Sequence, residues 1–256
     1  MRSQEPELGK YFYCIIRSSE PREFVTRGIG EQGAIVNTIV YNDIAAVVSD
    51  SPIMEYDNSR RNLLAHTTVL EEVMQEYTIL PVRFGMVAPT VQAVREQMLR
   101  RRYDELDKLL RKMDGKLELG LKAFWYEDSI YKEIVSASPQ IQQLRDALVG
   151  RSTDETYYER IKLGGLVEAA MKARREEDAA MIMKILTPLA IETRTNATIT
   201  ERMVLNAALL VEATREPEID QVVQRLDAEQ GRRLIFKYVG SAPPYNFVNL
   251  IIRWDK

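Results

Sequence analysis

Three groups of residues in this chain could do chemistry. Gly28, Gly30 and Gly33, within RGIGEQGAIV (27–36), spell the G-x-G-x-x-G of a dinucleotide-binding loop. Cys14 and His66, the chain's one cysteine and one histidine, could pair as nucleophile and base. Acid clusters at Glu71-Glu72, Asp104-Glu105 and Glu176-Glu177-Asp178 could act in proton transfer. Each chemistry also needs a setting. A glycine loop holds pyrophosphate when a strand enters it and a helix leaves it, because the helix N-terminus carries partial positive charge. Here the order is reversed: Pro21 opens a short helix expected over 21–27, and a strand follows the glycines. Gly28 and Gly30 then read as helix-ending residues and Gly33 as strand entry. A nucleotide-binding enzyme using Gly28, Gly30 and Gly33 stands as the contrasting reading.

The other two groups have bland settings as well. Cys14 alternates with Phe12 and Ile16 inside a strand, as a buried, inert thiol does. His66 falls on the apolar stripe Leu63, His66, Leu70, Val73 and Tyr77, the place of a hydrogen-bonded core residue. The acids alternate with lysines and arginines, as on a solvated, salt-bridged helix face. One cysteine and one histidine are too few for a Cys/His zinc site or a disulfide framework. No P-loop, nucleophile elbow or HExxH motif is present. No catalytic residue, cofactor or metal is expected.

The 256 residues carry a net charge of −3, and their basic runs are followed by acids, so nucleic acid is not an expected partner. No apolar run approaches the ~20 residues of a membrane span. The start, MRSQEPELGK, is polar and reads as no signal peptide, which with the lone thiol suggests the cytoplasm.

The elements that must position these residues follow from periodicity. Strands are expected at 11–17, 34–41 and 44–49, the last two joined at Asn42-Asp43. A helix capped by Asn58 or Ser59 runs from 60 to 76, and 78–87 is a strand with Pro81 pushing it to an edge. The order β-α-β-β-α-β is ferredoxin-like. A long helix over 90–113 with Arg100–Arg102 at its middle closes an N-terminal domain at 1–114. Residues 115–256 form a second domain. It opens with a strand burying Leu117, Leu119, Leu121, Ala123 and Trp125, followed by helices at 128–136, 139–148 and 154–188. MVLNAALLVEA (203–213) fits strand or helix by its pattern and is read as a strand from its turn-like polar flanks; a helix at 216–230 and a strand at 233–239 complete the domain. The fold class is therefore α+β with two domains: N-terminal ferredoxin-like, then a modified ferredoxin-like βαβ with inserted helices and a docked C-terminal tail.

A ferredoxin-like sheet has helices on one face only. Tyr11, Tyr13, Ile15 and Arg17 share one side of the first strand, and Ile79, Pro81, Arg83 and Gly85 share one side of the strand at 78–87. That face has the composition of an interface core, to be met by a partner or else covered by the second domain or a second copy of the chain. The tail PPYNFVNLIIRW is too apolar to fray and should dock.

The segments LLAHTTVLEEVM (63–74), ILPVRFG (79–85), GKLELGLK (115–122) and PPYNFVNL (243–250) resemble, in order, the motifs of the gas vesicle protein F/L family. The matched positions are His66, Leu80, Pro81, Val82, Arg83, Phe84, Gly85, Pro243, Pro244, Tyr245, Asn246 and Phe247. The resemblance implies a two-domain α+β accessory protein, not an enzyme, needed to form the gas-filled organelle that gives some prokaryotes buoyancy. It implies contact with the small apolar major gas vesicle shell protein and with other accessory proteins, and a place at the gas vesicle on either side of the shell. A soluble chaperone-like holder of shell subunits is the alternative. The candidate protein-interface residues are Tyr11, Tyr13, Arg17, Ile79, Arg83, Tyr245 and Phe247.

Overall fold

A computed structural model of the chain describes residues 8–30 and 33–254. Most of the polar N-terminal opening therefore lies outside the described residues. Helices and strands are mixed, and the chain divides into two compact units. Unit 1 comprises 1–118 together with 241–256, and unit 2 comprises 119–240. The closing segment thus clusters with unit 1, whereas the sequence pattern assigns it to the second domain.

Unit 1 is built on a six-stranded sheet. Its strands are β1 (Leu8–Arg17), β2 (Glu23–Phe24), β3 (Val36–Tyr41), β4 (Ile44–Pro52), β5 (Ile79–Pro81) and β6 (Val87–Ala88). The order is β2-β3-β4-β1-β5, with β6 also pairing β1. Asn42 turns the β3–β4 hairpin with a φ of 52°, which asparagine tolerates. Helix α1 (Arg60–Met74) is capped by the Ser59 hydroxyl, which accepts from the Asn62 amide.

Three expectations are corrected in unit 1. No helix forms over 21–27; β2 pairs β3 there instead. The reason lies in α1: the Glu72 carboxylate accepts from the Val25 and Thr26 amides at 2.9 and 2.8 Å, fixing an extended segment. The strand expected at 78–87 is interrupted. Pro81 offers no N–H, Gly85 turns with a φ of +86°, and the ladder resumes only at β6.

The third correction concerns the open face. A bulge between Phe12 and Cys14 leaves Tyr13 without a paired residue and breaks the alternation of β1. Tyr11, Tyr13, Cys14 and Ile16 all enter one core with Val69, Leu70 and Val73 of α1. The opposite face is covered too. The chain expected to form one helix over 90–113 forms a π-helical stretch, Ala93–Arg100, and then α2 (Tyr103–Met113), and the two pack on β1, β3, β4 and β5. Val94, Met98, Leu99, Leu106 and Leu110 are buried along it. The break falls at Arg101–Arg102, and Arg102 is spent on Glu105 and on the Ile251 carbonyl. Neither sheet face is open, so Tyr11, Tyr13 and Ile79 are interior residues, at most 2% exposed.

Unit 2 follows its expected pattern closely. Strand β7 (Lys116–Trp125) buries Leu119, Leu121, Ala123 and Trp125 on one side. Helices α3 (Glu127–Ala137), α4 (Pro139–Leu148) and α5 (Tyr157–Leu186) follow, then β8 (Glu192–Thr195), β9 (Met203–Glu212), α6 (Glu216–Gln230) and β10 (Leu234–Ala242). The sheet order is β10-β7-β9-β8. The short β8 has no counterpart among the strands expected from periodicity. No helix among the described residues is long and apolar enough to cross a membrane.

Candidate functional site

The segments around His66, Val82 and Tyr245 meet inside unit 1. His66 projects from α1 and is 3% exposed. Its ring stacks on Tyr13 (centroids 5.6 Å, 27° between planes) and meets Tyr11 and Phe84 edge-on, each at 5.7 Å. Nδ1 lies 3.0 Å from the Tyr11 hydroxyl and Nε2 lies 2.8 Å from the Tyr245 hydroxyl. The bonding pattern fixes the tautomer. The Tyr245 hydroxyl donates to the Val82 carbonyl (3.3 Å), so its oxygen accepts the His66 Nε2 proton. Nδ1 is then bare and accepts from Tyr11, whose oxygen in turn accepts the Gly85 amide at 2.9 Å.

One relay thus runs from the Gly85 amide through Tyr11, His66 and Tyr245 to the Val82 carbonyl. Both ends lie in the LPVRFG segment, which the relay pins as an arch. Burial holds the His66 imidazole down at about 4 and pushes the Tyr11 and Tyr245 hydroxyls up from their ordinary values. The interior therefore holds a neutral histidine between neutral phenols. Tyr13 makes a second anchor. Its hydroxyl meets the Ser49 hydroxyl at 2.9 Å and accepts the Ile29 amide at 2.8 Å, while burial pushes it up to about 12.

The glycine motif sits beside that anchor. A Cβ on Gly28 would lie 2.7 Å from the Tyr13 hydroxyl oxygen and closer still to Ser49. Gly28 is therefore required by close approach, not as a helix end. No helix follows the glycines; β3 does. Gly30 and Gly33 line a cleft with the first turn of α1, where the Asp57 carboxylate already bonds the Asn62 amide nitrogen at 2.5 Å. The cleft mixes Asp50 and Asp57 with Arg61 and Asn62, so it lacks the one-sided donor lining of a phosphate cradle.

The tail is seated at three points. Asn246 donates its backbone and side-chain nitrogens to the Glu118 carboxylate at 2.9 and 2.6 Å. Burial raises Glu118 above the ordinary carboxylate value. Phe247, Val248, Leu250 and Ile252 are buried, and Trp254 lies 6.4 Å from Phe12 on the opposite sheet face. The tail thus passes from the α1 face to the face covered by the π-helical stretch and α2.

Of the seven expected interface residues, Tyr11, Tyr13 and Tyr245 are joined through His66, and Phe247 is buried in the tail. Ile79 pairs Ile16 inside the sheet. Arg17 is exposed but ion-paired with Asp43 and Asp107. Tyr245 keeps 39% of its surface, and Arg83 is exposed at the crest of the arch. Cys14 is fully buried, which pushes its thiol well above the ordinary value and removes it as a nucleophile.

Sequence reasoning misses two buried acids. Glu118 lies inside GKLELG with no neighbouring signal of burial. Asp178 sits in a run of solvated acids but is 3% exposed in unit 2, accepting from the Trp125 indole (2.7 Å) and from Arg233 (2.5 Å). Its spacing onto the apolar side of α5, four residues before Ile182, is the available clue.

A sequence model of the family described as "Gas vesicle synthesis protein GvpL/GvpF" matches residues 9–249. The chain is 31% identical over 246 residues to gas vesicle protein F of Microcystis aeruginosa, covering 95% of this chain and 99% of that one. It is 31% identical over 242 residues to gas vesicle protein F of a Streptomyces species, covering 94% and 100%. The crystal structure of GvpF from Anabaena sp. PCC7120 superposes with a TM-score of 0.82 at 28% identity, covering 95% of this chain and 99% of that one.

Proposed function

The chain belongs to the gas vesicle synthesis protein GvpL/GvpF family, and on that premise we propose that it is a non-enzymatic assembly protein of the gas vesicle that binds the major shell subunit. The observation that carries this reading is the economy of the arch. His66, Val82, Phe84, Gly85, Tyr245 and Asn246 are spent on packing and internal hydrogen bonds, while Arg83 stays exposed and Tyr245 keeps part of its surface. A rigid mount presenting one arginine and one aromatic edge is the composition of a protein-binding hot spot.

The states of Cys14, His66 and the glycines support a binding role. The thiol is sealed, the imidazole has both nitrogens occupied, and the glycines lead into a strand. The strand order β5-β1-β4-β3 also supports a ferredoxin-like reading of unit 1 in which the first helix is replaced by β2 and the glycine turn. The site of action on this reading is the gas vesicle, with the shell subunit and other accessory proteins as partners. Co-purification of a tagged full chain with the shell subunit from vesicle-forming cells tests it. Recovery of the shell subunit is the expected result, and its absence under conditions that recover other vesicle proteins contradicts the reading.

A further inference from the structure

We propose that residues 243–254 form a strap that stays seated on unit 1 only while His66 is neutral, and that acid releases it before the sheet unfolds. The geometry makes the strap a separable piece. It contains turns and extended chain but no helix or strand, and polar attachments to unit 1 hold it at separate points along its length. They include Tyr245 on His66 and Val82, Asn246 on Glu118, and the Ile251 carbonyl accepting from Arg102 at 2.8 Å. The β1–β4 ladder beneath it runs the full length of both strands and uses no titrating side chain in its backbone bonds.

The first attachment has a fixed polarity. His66 receives one proton from Tyr11 and gives one to Tyr245. A protonated ring has two N–H groups and no acceptor. Tyr11 would then have to accept from Nδ1 while already accepting from Gly85, and its own proton would lose its partner. The groups facing the ring are Tyr11 and Tyr13 from β1, Phe84 and the Val82 carbonyl from the arch, and Tyr245 from the strap, with Cys14 interacting with Tyr245. No carboxylate among these described groups offsets the charge. Stacking on the Tyr13 ring favours a cation too weakly to replace the lost acceptor. The cheapest escape is withdrawal of Tyr245, the one partner not built into the sheet or the arch, which opens the ring to water.

Linkage sets the size of the effect. His66 is held at about 4 when seated and has an ordinary value of 6.5 in water. If release restores the ordinary value, the release constant rises up to tenfold per pH unit below 6.5 and levels off near 4, roughly 300-fold in all.

Hydrogen exchange of the full chain, corrected for intrinsic rates, reads this directly. Peptides covering 243–254 should lose protection between pH 6.5 and 4, while peptides of β4 (44–52) keep theirs. The ring-proton NMR titration of this single histidine should share the midpoint. His66→Gln should remove the loss of protection at low pH, and Glu118→Gln, which removes a buried carboxyl that favours the seated state as pH falls, should steepen the wild-type dependence. Tyr245→Phe, which retains the histidine, should shift the His66 midpoint upward. The proposal is overturned if strap and β4 lose protection together, if strap protection does not change with pH, or if the dependence survives in His66→Gln.

Discussion

The two faces of the unit 1 sheet solve burial differently. On the α1 face, Tyr11, Tyr13, His66, Ser49 and Tyr245 fill the interior with directional bonds, each group satisfied by a named partner. On the other face, Phe12 and Ile15 of β1 lie under a layer that buries Val94, Met98, Leu99, Leu106 and Leu110, all apolar. Both faces are buried. Only the first can specify a shape, because hydrogen bonds lose value steeply with angle and distance whereas apolar contacts tolerate rearrangement. The arch that presents Arg83 stands on the specifying face. The other face supplies bulk stability.

The contrast can be broken from the apolar side first. Leu99→Ala removes a fully buried side chain and should cost about 2–5 kcal/mol in urea unfolding. Its effect should be the same at pH 7.5 and pH 4.5, since no titrating side chain is among the buried residues named there.

The polar face should respond to pH instead. His66 sits at about 4 folded and near 6.5 unfolded, so the unfolded chain takes the proton first. Its contribution is fully present above pH 6.5 and is lost as pH falls toward 4, by up to about 3 kcal/mol. Glu118, raised by burial, acts in the opposite sense as pH falls. The difference in stability slope between wild type and His66→Gln isolates the histidine, and the Leu99→Ala chain should retain the wild-type slope.

A smaller effect sharpens the account of the glycine motif. Gly28→Ala places a methyl against the Tyr13 and Ser49 hydroxyls and should cost about 1–3 kcal/mol, measured by thermal unfolding. At Gly30 a Cβ would meet nothing within 4 Å, but the φ of +115° disfavours any side chain. Neither substitution should alter nucleotide affinity.

Much of this fold is legible in the sequence. In unit 2 the short β8 escapes and β9, buried on both faces, shows no alternation, but most elements can be read because β7 alternates and the helix over 216–230 carries the stop Gly231. Helix α1 and its Ser59 cap are readable for the same reason. The open sheet face is a false expectation because alternation assumes an unbroken strand. One bulge at Tyr13 brings Cys14 and Ile16 onto the same α1-covered face as Tyr11 and Tyr13, and no local signal in YFYCIIR announces it. The helix expected at 21–27 fails because its alternative is fixed from a distance, by Glu72. Periodicity places the histidine correctly in the core, but its partners come from 55 and 179 residues away, which periodicity cannot connect.

On the proposed function, the motif residues build a mount from which Arg83 contacts the shell subunit. The affinity of purified shell subunit for the Arg83→Ala chain tests it most directly. The account predicts binding weakened at least about tenfold, with thermal stability within about 0.5 kcal/mol of wild type because the residue is exposed. Wild-type affinity in a stably folded Arg83→Ala protein would contradict it.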